Sequence, residues 1–144
     1  MAKVLIVGYG NPLRGDDGVG WRAAERLRGA IRDPDVEIHA LHQLTPEVME
    51  ALGRADRAIF IDACVGAVAG EIRERPVEAE GGAAAFSHSA TPAALLAGAR
   101  ALYGHAPQAT LITVTGGDFS LSEELSPSVS AAMDGVVRVA LRLI

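Results

Sequence analysis

The segment Val4-Leu5-Ile6-Val7-Gly8 is an unbroken apolar run that closes on a glycine. Tyr9-Gly10-Asn11-Pro12-Leu13-Arg14-Gly15 follows, and then Asp16-Asp17-Gly18-Val19-Gly20 opens a helical pattern. A short apolar run without polar alternation reads as a strand covered on both faces. Glycine, asparagine and proline after it reverse the chain. The chain therefore opens as strand, turn and helix, the building unit of an open α/β sheet. Its two adjacent carboxylates fall past the carboxyl end of a first strand, where such sheets place their chemistry. A glycine turn ending on two acids suits oxygen ligation of a cation better than the cradling of phosphate.

The rest of the chain repeats the alternation. Strand-like runs lie at 3–8, 36–41, 58–62, 71–75 and 109–115. The first, third and fifth are almost wholly apolar and read as central strands. Glu71-Ile72-Arg73-Glu74-Arg75 is mainly charged and closes on Pro76, which marks an exposed edge. Between the runs stand helical periods: Val19, Ala23, Ala24, Leu27, Ala30 and Ile31 within 18–31, and Val129, Met133, Val136, Val137, Ala140 and Leu143 at the end. Thr45-Pro46, Thr91-Pro92 and Ser126-Pro127 each offer a hydroxyl at N-cap and a proline at N1. Gly104 is placed to end the helix that begins at Thr91. The expected fold class is α/β: one domain spanning 1–144, a three-layer α/β/α sandwich around a five-stranded, mostly parallel twisted sheet. Glu78–Ala85 is small and glycine-rich and reads as a mobile loop leading to Ser87-His88-Ser89.

Composition narrows the function. At 144 residues, 49 % apolar and 22 % charged, the chain is long enough to bury one core and ordinary enough to be globular. A net charge of −5 with no run of Lys or Arg argues against a nucleic-acid surface. The single cysteine, Cys64, excludes an internal disulfide framework and fits a reducing cytoplasm. No leader pattern and no apolar stretch of about 18 residues is present, so no membrane partner is expected. Small size and an acidic surface are compatible with a monomer.

Four acid or imidazole positions stand out: Asp16 and Asp17 after the first strand, Asp62 at the end of the third, and His88 in the loop before Thr91. Carboxyl ends of adjacent parallel strands share one edge of a sheet, so Asp17 and Asp62 can approach each other, and a loop histidine can close the site. Two carboxylates and an imidazole suit zinc or another borderline divalent ion such as nickel. Such an ion would polarise a carbonyl and acidify water. Each residue also has a plainer reading. Asp16 can cap the helix at Gly18, Asp62 can form a turn, and His88 can be a surface residue. His39, His42 and His105 read as structural or exposed, and Cys64 as a small buried hydrophobe. A dinucleotide loop fits poorly, because Leu13 stands where the third glycine is needed and no acid ends the second strand. A Walker loop is absent.

The run Gly8-x-Gly10-Asn11-Pro12-Leu13-Arg14-Gly15-Asp16-Asp17-Gly18-Val19-Gly20 closely resembles the opening motif of the nickel–iron hydrogenase maturation endopeptidases. The resemblance continues through Ile61-Asp62-Ala63, Ser87-His88-Ser89-Ala90-Thr91-Pro92 and 113–119, in order along nearly the whole chain. It implies a phosphorylase/hydrolase-like fold and a metal-dependent hydrolase that removes a C-terminal extension from the hydrogenase large-subunit precursor after nickel insertion. By the same resemblance Asp17, Asp62 and His88 contact the metal, and Asp16 supports the loop or acts as a polar group beside it. The nickel would be the substrate's own, with zinc or cadmium as stand-ins in isolated protein. The general base stays open between Asp16 and a ligand carboxylate. Two further readings use the same residues: a non-catalytic nickel-sensing or docking module for the immature subunit, and a stand-alone zinc peptidase or amidase.

The chain departs from that family pattern in three places. Position 17 is Asp where some relatives carry Glu, which shortens its reach by one methylene. Leu41-His42-Gln43-Leu44-Thr45-Pro46 replaces a Gly-Gly-Thr turn, and no longer tail follows the last helix.

Overall fold

The computed structural model describes residues 2–80 and 90–144. Five strands form one sheet: β1 (Val4–Tyr9), β2 (Val36–Leu41), β3 (Arg57–Cys64), β4 (Ile72–Val77) and β5 (Gln108–Thr115), in the spatial order β2-β1-β3-β5-β4. All neighbours run parallel except β4, which lies antiparallel along β5 at the edge. The charged strand is therefore an edge strand, as its sequence demands. It runs through Pro76 to Val77 instead of closing there, because an edge tolerates the missing N–H of a proline.

Alternation along the strands splits the core into two layers. Leu5, Val7, Phe60 and Leu111 face α2 (Val48–Gly53) and α3 (Pro92–Tyr103) through Leu52, Leu95 and Leu96. Ile6, Ile59, Ile61, Ile112 and Val114 face α1 (Val19–Ala30) and α4 (Pro127–Leu143) through Val19, Leu27, Val129 and Val136. The result is the expected α/β/α sandwich. No helix among the described residues is long and apolar enough to cross a membrane.

Three local expectations change. The helical pattern after the first strand begins as a short 3-10 turn (Gly15–Gly18), and α1 starts only at Val19; no side chain caps either, so Asp16 is not a helix cap. Helix α2 begins at Val48 after a turn at Pro46-Glu47, with Glu47 at its N-cap and no side chain capping it, so Thr45 is not the cap. Ser126 sits at the N-cap of α4 with its hydroxyl engaged elsewhere. Thr91 does cap α3, accepting from the Ala94 N–H at 3.1 Å, and Gly104 ends that helix at φ 77°.

The connection from β1 leads through α1 to β2 on one side, and that from β2 leads through α2 across to β3 on the other. The chain thus reverses direction across the sheet between β1 and β3. Ligands of open α/β sheets bind in the crevice outside the strand ends at such a reversal.

Candidate active site

Glycines let the first turn fold tightly over that crevice. Gly10 has φ 143°, and a Cβ there would lie 1.9 Å from the Asp17 carbonyl oxygen. A Cβ on Gly20 would lie 2.2 Å from the Ile61 carbonyl oxygen and 2.6 Å from that of Tyr9, so α1 starts directly against the tips of β1 and β3. The turn is pinned by the Asn11 N–H, which donates to Asp17 Oδ2 at 2.8 Å, and by the Leu13 N–H, which donates to Asn11 Oδ1 at 2.9 Å.

Asp16 and Asp17 are sequence neighbours with different surroundings. Asp16 is fully buried, at 0 % exposure. Its Oδ2 accepts from the Gly117 N–H (2.7 Å), the Asp118 N–H (3.0 Å) and the Ser126 hydroxyl (2.7 Å). Its Oδ1 accepts from the Ser126 N–H at 2.7 Å. Burial alone would raise its pKa, but the Ser126 hydroxyl and the three backbone donors hold it below the usual carboxylate range. Asp16 therefore fastens the 3-10 turn to the loop between β5 and α4. Backbone bonds Asp16 N–H to Asp118 O and Gly15 N–H to Ser122 O, with the Ser122 N–H returning to Leu13 O, complete the seam.

Asp17 and Asp62 are half-buried. Strands β1 and β3 pair with Gly8 opposite Ile61, which sets Tyr9 beside Asp62 at the end of the ladder. Asp62 Oδ1 accepts from the Ala63 N–H at 2.8 Å, and the Tyr9 phenol lies beside the same carboxylate. Desolvation raises the Asp62 pKa to about 6, the Asp17 charge adding to the rise and the neighbouring Tyr9 phenol and the Ala63 N–H opposing it. Burial and the neighbouring Asp62 push the Tyr9 phenol upward as well, which keeps it a donor. The Asp17 and Asp62 charges thus stand close enough to repel, and no ion pair holds either among the described residues. That arrangement fits a cation: a positive charge between them removes their repulsion. No group of three His, Cys, Asp or Glu suited to a metal occurs among the described residues. His88 lies in 81–89, outside those residues.

The remaining candidates have neighbours of their own. His39 pairs with Glu37, His105 with the Ala55 carbonyl, and the His42 ring stands 6.4 Å from that of Trp21. Cys64 is half-buried, with its Sγ 3.5 Å from the Thr115 hydroxyl, so it is a strand-end residue and not a core hydrophobe. Sequence reasoning missed Tyr9 and Ser126. The period-2 pattern of β1 could have set Tyr9 on the face of Leu5 and Val7, but not which strand lies beside it.

Apolar side chains rim the same edge of the sheet. Leu13 (53 % exposed) follows β1, Val65 (88 %) and Val68 (61 %) follow β3, and Leu121 (76 %) follows β5. The backbone bridge between Arg14 and Ser122 brings the loops of Leu13 and Leu121 together.

No protein-family model and no curated protein matches the chain. Solved structures do. The [NiFe] hydrogenase maturation protease HycI from Thermococcus kodakarensis superposes with a TM-score of 0.79 at 24 % identity, covering 99 % of this chain and 92 % of its own. The fold is that of the hydrogenase maturation proteases. The maturating endopeptidase HybD from E. coli gives 0.78 at 24 % identity over 97 % and 90 % of the two chains. A hydrogenase 2 maturation peptidase from a thaumarchaeote gives 0.73 at 25 % over 97 % and 96 %. Coverage this complete means that the likeness extends over both helical layers and the whole sheet, not over one βαβ unit.

Proposed function

We propose that the protein is a hydrogenase maturation endopeptidase: a cytoplasmic, monomeric hydrolase that removes the C-terminal extension of a nickel–iron hydrogenase large-subunit precursor once nickel is in place. The observation that carries this reading is the meeting of Asp17 and Asp62 at the β1/β3 reversal with no basic partner among the described residues. The opening motif and the fold shared with maturation proteases support it. The nickel belongs to the substrate, and Asp17, Asp62 and His88 are the residues assigned to meet it. A bound divalent ion supplies Lewis acidity toward a carbonyl and toward water. Asp16, its oxygens engaged by four donors, serves the turn and is not free to move a proton. The base that activates water therefore falls to a carboxylate of the pair, whichever of Asp17 and Asp62 keeps an oxygen free of the ion. The exposed apolar rim gives a protein substrate a surface to bury.

The test is to mix the protein with precursor, with and without nickel, and to follow the mass of the large subunit. Loss of a short C-terminal peptide only from nickel-loaded precursor is expected. A stable complex with uncut precursor would make the protein a docking module. Zinc-dependent hydrolysis of unrelated peptides would make it a general peptidase.

A further inference from the structure

We infer that Asn11 is a positioning residue for Asp17: its side chain closes a turn that aims the Asn11 N–H at one carboxylate oxygen and leaves the other for a cation. The inference rests on the cation reading above and extends it to a residue outside the proposed ligands. Asn11-Pro12-Leu13-Arg14 has the sequence of a tight turn. Proline fixes φ at the second position, and asparagine suits the first, where its side-chain carbonyl takes the N–H two residues on. Both turn bonds are made. The Leu13 N–H donates to Asn11 Oδ1 at 2.9 Å, and the Arg14 N–H donates to the Asn11 carbonyl at 3.0 Å. With both oxygens holding the turn, the Asn11 N–H has a fixed direction, and it donates to Asp17 Oδ2 at 2.8 Å.

These bonds close a ring. The Arg14 carbonyl accepts from the Asp17 N–H at 3.1 Å, so residue 17 is tied to the turn at its backbone and again at its carboxylate. The ring has little slack, because a Cβ on Gly18 would lie 2.5 Å from the Pro12 Cα. An aspartate without such a donor would rotate about its Cα–Cβ and Cβ–Cγ bonds. Held at Oδ2, Asp17 keeps Oδ1 for another partner, and no described residue donates to it. Asp62 is held in the same manner, at one oxygen, by the Ala63 N–H. Hydrogen bonds that orient ligating carboxylates matter by about 10–100-fold in metal affinity. Asn11→Ala takes away only the acceptor of the Leu13 N–H. That bond is exposed, so water replaces the acceptor and the fold stands, while the aim of the N–H at residue 11 is lost.

The experiment uses the full chain and cadmium ion alone as probe. Calorimetric titration of the native protein, Asn11→Ala, Asp17→Asn and Asp62→Ala is paired with proton–nitrogen NMR of the backbone amides. Thermal melts confirm folding, and the Ile31 amide, which bonds the Leu27 carbonyl at the far end of α1, is the internal reference. The expected result is weakening of cadmium binding by about 10-fold or more in folded Asn11→Ala. In metal-free protein the residue-11 amide proton moves upfield in that variant, because it no longer meets a carboxylate. In native protein the same resonance moves on cadmium addition, as the charge of its acceptor is drawn away, while that of Ile31 stays. Affinity in Asn11→Ala within about threefold of native, or an Asn11 amide indifferent to cadmium, overturns the positioning role even if both aspartate variants lose binding. Native affinity in Asp17→Asn and Asp62→Ala overturns the cation reading itself, and the Asn11 inference with it.

Discussion

Two carboxylate environments lie within one loop's reach of each other, and they are built on opposite principles. Under the turn, Asp16 is sealed from water and given four donors, so its charge is welcome and its position permanent. At the strand tips, Asp62 is desolvated beside another acid with fewer donors, so its charge is strained. Residues 16 and 17 are adjacent in sequence, yet Asp16 points into the seam with the β5–α4 loop and Asp17 faces the side of Asp62. The difference separates two uses of a buried acid. A saturated carboxylate stabilises structure, whereas an under-compensated pair stores affinity for a positive charge.

The contrast is sharpest in activity. Asp17→Ala and Asp62→Ala should each reduce precursor cleavage by about a thousandfold or more while leaving the fold intact, measured as peptide release and by thermal melts. A variant of either residue that cleaves at native rate would remove it from the chemistry. Asp16→Ala should act on stability instead. It leaves three part-buried backbone N–H groups without their acceptor, a loss of about 3 kcal/mol in urea denaturation. An Asp16→Ala protein of native stability that no longer cleaves would collapse the distinction and return Asp16 to the reaction.

The two acids should also leave opposite marks on stability against pH. Asp62 has a pKa raised from 3.8 to about 6, so the folded state binds more protons than the unfolded chain between those values. Its contribution is favourable at low pH and is lost as pH rises through about 6. Asp62→Asn should therefore match the native protein near pH 4 and exceed it above pH 7, on the order of 2 kcal/mol. Asp16 is depressed, so its contribution is present above the unfolded pKa and lost as the solution is acidified below it. Denaturation midpoints across pH 3–8 for native, Asp16→Asn and Asp62→Asn proteins would read both slopes.

Smaller effects refine the picture at the helix starts. Ser126→Ala removes a hydroxyl that donates to Asp16, a loss of about 1–2 kcal/mol through the seam and not through a missing helix cap. Thr91→Ala removes a true cap on α3, about 1 kcal/mol. Thr45→Ala should leave α2 intact, because its hydroxyl meets no helical N–H, and helical circular dichroism of the two threonine variants would separate them.

Much of the architecture was legible because it is written in local terms. Apolar runs mark buried strands, charge and proline mark the edge strand, and glycine spacing marks the turn. The hydroxyl–proline pairs were legible only as starts. Identical local signals at Thr45, Thr91 and Ser126 ended in three different outcomes, no cap, a true cap and a bond to Asp16, since a hydroxyl takes whichever partner the tertiary structure brings nearest. The same limit governs the acids: no local pattern distinguishes Asp16 from Asp17.

By itself the sequence determined the α/β class, the order of strands and helices along the chain, and the acids that fall at strand ends. These depend on side-chain periodicity and backbone freedom, which each segment carries with it. Only the tertiary structure decided that β1 lies beside β3, that Tyr9 therefore stands level with Asp62, and that Asp16 is claimed by Ser126 and the loop at Gly117. Those outcomes depend on which distant segments share a boundary, and a carboxylate's charge is favoured or strained only by what stands across it.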